Sequence, residues 1–226
     1  VSSTLTATRH GLGPVVAVHV ALGLAGAVVL SLDAPAKGWG VLLTVVAYVV
    51  ALQVACRRAG RPDLAALAAF LVAVSVFQVL PDWVLADLVG TLRFPDTGSI
   101  RVDDVIPVAM AGMWVAPLFV AVALAGGHPG RAALLAAVVF LGSELAAPGL
   151  GLWEPTGDTH RIAGVAVYVL PAEAALGWAT AYAFRETRDR GVAQRIAAAL
   201  AVSTFYLGAL VLAHFLIDVA GWRLTA

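Results

Sequence analysis

The sequence predicts an all-α, polytopic membrane protein with seven transmembrane helices, and three observations predict it. Of the 226 residues 61% are hydrophobic and 12% charged, against about 25% charged in soluble domains. Seven apolar stretches are long enough to cross a hydrocarbon core of about 30 Å. The segments joining them are short, so residues 1–226 form one transmembrane domain with no room for a soluble one.

In chain order, the first stretch, Pro14–Ser31, lacks a small-residue cleavage signal ahead of a mature soluble domain and is expected to be retained as a span. Trp39–Cys56 ends on the lone cysteine, which makes a disulfide within the chain impossible and a thiol-based site unexpected. Leu64–Leu80 closes on Gln78 and Asp82, and Val105–Ala125 opens after Asp103 and Asp104. Ala132–Pro148 contains Glu144, and Ile162–Phe184 contains Glu173 near mid-depth. Ala193–Val219 carries Tyr206, Leu210, His214 and Asp218 as an i, i+4 ladder, in which Asp218 is placed to orient His214 or hold it protonated.

Net charge is zero, but the charges are sorted. With a cytoplasmic N-terminus, Arg9, Arg57, Arg58, Arg61, Arg131, Arg185, Arg188, Arg190 and Arg195 lie inside, and Lys37, Arg93, Arg101, Arg161 and Arg223 lie outside. Nine against five favours an N-in, C-out chain in a plasma membrane of bacterial type. No basic tail suggests nucleic acid, so the expected partners are membrane lipids and a lipophilic substrate.

An internal repeat organises the middle of the chain. IPVAMAGMW (Ile106–Trp114) and LPAEAALGW (Leu170–Trp178) both place a proline seven residues before a tryptophan. Upstream, VSVFQVLPDW (Val74–Trp83) and VVFLGSELAAPGLGLW (Val138–Trp153) share a late polar residue, then Pro, then Trp. A Thr-Gly loop follows each, at Thr97-Gly98 and Thr156-Gly157. The sequence therefore reads as two related three-helix units, with Gln78 and Ala109 in the first where the second has Glu144 and Glu173. Binding sites in membrane proteins often lie between such repeats.

The polar residues gather between the midplane and the outer surface. An ionised carboxylate at membrane depth costs roughly 2.5 kcal/mol or more unless paired. Glu144 and Glu173 are therefore expected to be protonated, paired or facing a polar cavity. Phe140, Ser143, Glu144 and Ala147 share one helix face. Trp114, Trp178, Tyr168, Phe140 and Phe77 are the expected aromatic lining, able to stabilise a cationic intermediate by roughly 2 kcal/mol. Gln78, Asp104, His214 and Asp218 are the expected supporting polar shell. Trp83 and Trp153 read as interfacial-belt residues, and Asp82, Asp87, Asp96 and Asp158 as solvated loop acids or caps.

Absent motifs narrow the chemistry. Asp103-Asp104 runs into Val105-Ile106-Pro107, so no DDxxD array gathers magnesium around a diphosphate. His10, His19, His128, His160 and His214 are too scattered for a metal cage, and no metal or other cofactor is expected. The only lysine, Lys37, is in a loop, which excludes a retinal Schiff base in the last span. Brønsted acid catalysis by a carboxyl in a dry, aromatic-lined pocket survives.

The chain resembles the small integral-membrane terpene cyclases, which include the lycopene β-cyclase domains and the membrane-bound cyclases of meroterpenoid and indole-terpenoid pathways. The resemblance rests on size, span number, the three-helix duplication and Pro171-Ala172-Glu173, which is similar to the Pro-x-Glu motif of heterodimeric lycopene cyclases. The family pattern places a second acid directly after that Glu, where this chain has Ala174; the first repeat reads Pro107-Val108-Ala109. That departure points away from lycopene and toward prenylated acceptors, where two separated acids on different helices perform the protonation. By resemblance, Glu173 and Glu144 form the acidic pair of a metal-independent, isomerase-type cyclase. Two alternatives stand beside it. One is an isoprenoid hydratase, which adds water to the same cation; the other is a proton-coupled transporter or lipid-binding protein using the two acids as a relay.

Overall fold

The computed structural model describes residues 11–221, so Arg9, His10 and Arg223 of the charge and histidine readings lie outside the described residues. Helices α1 (Gly13–Leu30) and α2 (Ala36–Arg58) form a hairpin. The central rod follows: α3 (Pro62–Phe77), α4 (Val79–Trp83) and a π-helical turn over Val84–Val89. Then come α5 (Met110–Met113), α6 (Val115–Leu124), α7 (Pro129–Leu150), α8 (Val169–Thr187) and α9 (Val192–His214), which runs into a second π-helical turn, Phe215–Val219.

Among the described residues, five helices are long and apolar enough to cross a membrane: Gly13–Leu30, Ala36–Arg58, Pro62–Val89, Pro129–Leu150 and Val192–Val219. The other two rods fall short for different reasons. Met110–Leu124 is too short. Val169–Thr187 carries Glu173, Arg185 and Glu186. Both were expected to start earlier, at Val105 and Ile162, but those residues form hairpins instead. Apolar composition there marked the approach to a helix rather than the helix itself.

The exposed faces support a membrane setting. Val16, Val20, Leu24 and Val28 form an outward stripe on α1, and Leu134, Val138, Leu141 and Leu145 on α7 also face outward. In a soluble bundle such stripes would be polar. The inward faces converge on α3, whose Leu67, Ala68, Leu71 and Val74 are almost fully buried.

Prolines explain the interruptions. Pro81 has no N–H for the carbonyl four residues back, and the helix breaks at Gln78. Pro117 has the same effect at Trp114, between α5 and α6. The third span continues past the expected end at Leu80 to Val89, because the π turn absorbs the irregularity. It stops at Gly90, whose φ of +74° is open to glycine without steric cost, and the Thr91 N–H bonds the Leu85 carbonyl at 3.0 Å. Helix α7 ends the same way: Gly151 has φ +66°, and Leu152 N–H bonds the Ala147 carbonyl at 3.0 Å.

Among the described residues, six two-residue strands make three antiparallel ladders. β2 (Arg101–Val102) pairs with β3 (Ile106–Pro107), and β5 (Arg161–Ile162) with β6 (Val165–Ala166). Each is a hairpin leading into an inner helix, and each turn holds left-handed residues: Asp103 and Asp104 in one, Ala163 and Gly164 in the other. Arg101 and Arg161 fold back onto their own preceding loops, Arg101 onto the carbonyls of Phe94 and Pro95, Arg161 onto the carbonyl of Gly157. The third ladder joins the halves: β1 (Leu92–Arg93) pairs with β4 (Glu154–Pro155), with an Arg93–Glu154 ion pair across it.

Candidate functional site

Beneath the β1–β4 ladder lies a cavity of about 400 Å³, within the range of small-molecule sites. Its roof is Leu92, Phe94, Leu152, Trp153 and Pro155, and its walls come from α4, α5, α7, α8 and α9. The π turn contributes Leu85, and Thr91 follows it. Most of the surface is apolar.

Three carboxyl residues face this space: Asp82 from α4, Glu144 from α7 and Glu173 from α8. They are not equivalent. Trp153 Nε1 donates to Glu144 Oε1 at 2.9 Å, and Trp114 Nε1 donates to Asp82 Oδ2 at 3.2 Å. Glu173 is 1% exposed, and its Oε2 is sealed from solvent without a hydrogen-bond partner. Among the described residues no Lys, Arg or His forms an ion pair with any of the three. No three acidic, His or Cys side chains of the described residues converge as metal ligands would. The acids are spread around a wall rather than focused on a point.

Aromatic rings complete the enclosure. Trp114 lies 5.2 Å from the Phe140 ring and 5.6 Å from Tyr206, centroid to centroid. Tyr168, 1% exposed, donates its hydroxyl to Thr91 Oγ1 at 2.9 Å. Behind it sits His214, whose ring is 5.2 Å from that of Tyr168 and whose Nδ1 is 2.9 Å from Asp218 Oδ2. Asp218 Oδ1 also accepts the backbone N–H of His160 at 2.7 Å, tying α9 to the second hairpin loop.

Of the residues singled out in the sequence, Glu144, Glu173, Trp114, Tyr168 and Phe140 line one cavity. The predicted α7 face, Phe140, Ser143, Glu144 and Ala147, lines it in full. Four others lie elsewhere. Trp178 is 42% exposed and stacks on Tyr182 at 5.2 Å, because position 178 lies roughly 140° around a regular helix from Glu173. Asp104 is exposed in the tip of the first hairpin. Phe77 packs into the main core outside the cavity wall. Gln78 is fully buried, with neither amide atom hydrogen-bonded, and it also lies off the wall. The His214–Asp218 pair forms as expected, one layer behind Tyr168.

Two residues read as peripheral prove central. Asp82 is 3% exposed and faces the cavity, rather than being a solvated cap. It is a full helical turn past Gln78, so the i, i+4 spacing was available as a signal; Pro81 suggested a helix end that the π turn overrides. Trp153 roofs the cavity and anchors Glu144, rather than standing in an interfacial belt. Tyr206, already on the predicted α9 ladder, completes the wall.

Against known proteins, the sequence model of a family described as a domain of unknown function (DUF6989) matches residues 79–217, more than half of the chain. The matched region takes in all three cavity acids. Neither a curated protein nor a solved structure matches the chain.

Proposed function

We propose that this chain, which belongs to the DUF6989 family, is a seven-span, N-in membrane terpene cyclase built from two related three-helix units and acting on a linear isoprenoid or prenylated acceptor. One observation carries the reading. Glu173 lines an apolar, aromatic-walled cavity, its Oε2 is buried without a hydrogen-bond partner, and among the described residues no basic side chain lines that cavity. In its protonated form such a group is a Brønsted acid with no competing acceptor except the substrate.

The steps balance without a co-reactant. Glu173 gives its proton to the less substituted carbon of a terminal double bond, or to an epoxide oxygen, and a tertiary cation forms. An internal double bond attacks that cation and closes the ring. A wall carboxylate then takes a proton from the carbon next to the final cation, which forms the product alkene. Proton loss and proton gain cancel, so substrate and product are isomers. Trp114, Phe140 and Tyr206 offer ring faces to the cation, each by roughly 2 kcal/mol when desolvated. The indole donors on Asp82 and Glu144 fix those carboxyls at the wall and leave a second oxygen on each without a hydrogen-bond partner. His214–Asp218 positions Tyr168 from behind.

The test is conversion of prenylated compounds by membranes that contain the protein, read by mass. A cyclase gives a product isobaric with its substrate, whereas capture of the cation by water gives one heavier by one water. Glu173→Gln keeps the size of the side chain and removes the acid. It is expected to lower turnover by about 10²–10⁴-fold, the contribution of a positioned general acid, while the protein still extracts in folded form. Wild-type turnover by this variant contradicts the assignment.

A further inference from the structure

We propose that the cavity is also a binding site selective for lipophilic cations: an apolar chain of isoprenoid length ending in a tertiary or quaternary ammonium group. Among the described residues, every ionisable wall residue except the two tyrosines is a carboxyl acid, Asp82, Glu144 or Glu173, and no lysine, arginine or histidine lines the cavity. Glu173 lines the cavity, and its Oε2 is buried without a hydrogen-bond partner. Trp114 and Trp153 each occupy only one oxygen of Asp82 and Glu144. Asp82 and Glu144 thus each keep one carboxyl oxygen without a hydrogen-bond partner, and among the described residues the wall offers no cationic side chain to an anion.

A neutral ligand of the same shape gains only the apolar contacts. A tertiary amine gains more: it accepts the proton of a wall carboxyl, so the O–H bond breaks as the N–H bond forms. The resulting ammonium and carboxylate are left paired in a low-dielectric space. The faces of Trp114, Phe140 and Tyr206 lie within one aromatic cluster, and such faces attract an ammonium group. A quaternary ammonium needs no proton transfer and is paired directly once a wall carboxyl has ionised. An anionic ligand of equal length meets a carboxyl at three wall positions and, among the described residues, no cation to pair with.

This inference rests on the wall chemistry and not on turnover, so the two can fail separately. The experiment uses the full chain in phosphatidylcholine nanodiscs and three fifteen-carbon isoprenoid probes that share one chain: a dimethylamine, an alcohol and a carboxylate. Binding is read by quenching of tryptophan fluorescence and by the shift in thermal midpoint. The amine is expected to bind at least tenfold more tightly than the alcohol, and the carboxylate more weakly than either. In the Glu144→Gln/Glu173→Gln double variant the amine advantage should fall toward that of the alcohol, while alcohol binding persists. Equal affinity of amine and alcohol for the wild-type protein overturns the proposal and needs no variant to fold. An undiminished amine preference in a folded double variant overturns it as well. Amine selectivity in a protein that converts no prenylated compound supports this inference and counts only against the cyclase reading.

Discussion

Residues 62–124 and 129–187 follow one plan and arrive at different chemistry. Each half runs a long helix to a left-handed glycine, Gly90 or Gly151, then a two-residue strand, then an arginine-led hairpin, then an inner helix. The strands pair with each other, so the halves meet directly above the cavity. Yet the first half supplies one acid, Asp82, from its long helix, and the second supplies two, Glu144 and Glu173. At the position matching Glu173 the first half has Ala109, which is buried but lies off the cavity wall. The tryptophans diverge too. Trp114 sits at the break that Pro117 makes and turns its indole to Asp82; Trp178 lies on an unbroken helix and faces outward. A backbone plan can be shared while a single proline decides which side chains reach the site.

That contrast can be broken at three strengths. The strongest lies where α7 and α8 meet. A Cβ on Gly177 would stand 2.6 Å from the Ala132 carbonyl oxygen and 2.3 Å from Ala136 Cβ, so the two helices touch backbone to backbone. Gly177→Leu is expected to lower the thermal midpoint by roughly 5–10 °C, or to prevent accumulation of folded protein, because overpacking a core typically costs about 1–3 kcal/mol. A wild-type melting curve would mean that this contact is looser than described. Next comes the tryptophan pair. Trp114→Phe removes the donor to Asp82 and should reduce turnover about tenfold, while Trp178→Phe should leave turnover within about twofold of wild type. Equal losses in the two variants would erase the distinction between inward and outward rings. The weakest effect belongs to Asp104→Asn, which changes an exposed hairpin residue and should leave turnover unchanged in the same assay.

Five of the seven expected spans, the helix order and the inward face of α7 were legible because apolar length and i, i+3, i+4 spacing are local properties of the chain. Glu144 and Glu173 were legible for the same reason, since an acid in a hydrocarbon-length run stands out. The hairpins before α5 and α8 were not: Val105–Ala109 and Ile162–Val167 are as apolar as the helices they precede, and only the left-handed turn residues separate them. Asp82 was misplaced because Pro81 is a helix-ending signal that a π turn can override. Trp153 was misplaced because its indole reaches back nine residues to Glu144, a partnership that end-of-span position does not reveal.

The central claim is that a wall carboxyl delivers a solvent-exchangeable proton to carbon or to an epoxide oxygen. Turnover of an alkene-ended prenylated substrate in D2O tests it most directly, with the product mass read after back-exchange into ordinary water. The account predicts a cyclic product heavier by one mass unit than the same product made in H2O, with deuterium on the carbon that was protonated. A cyclic product with no deuterium on carbon would contradict it.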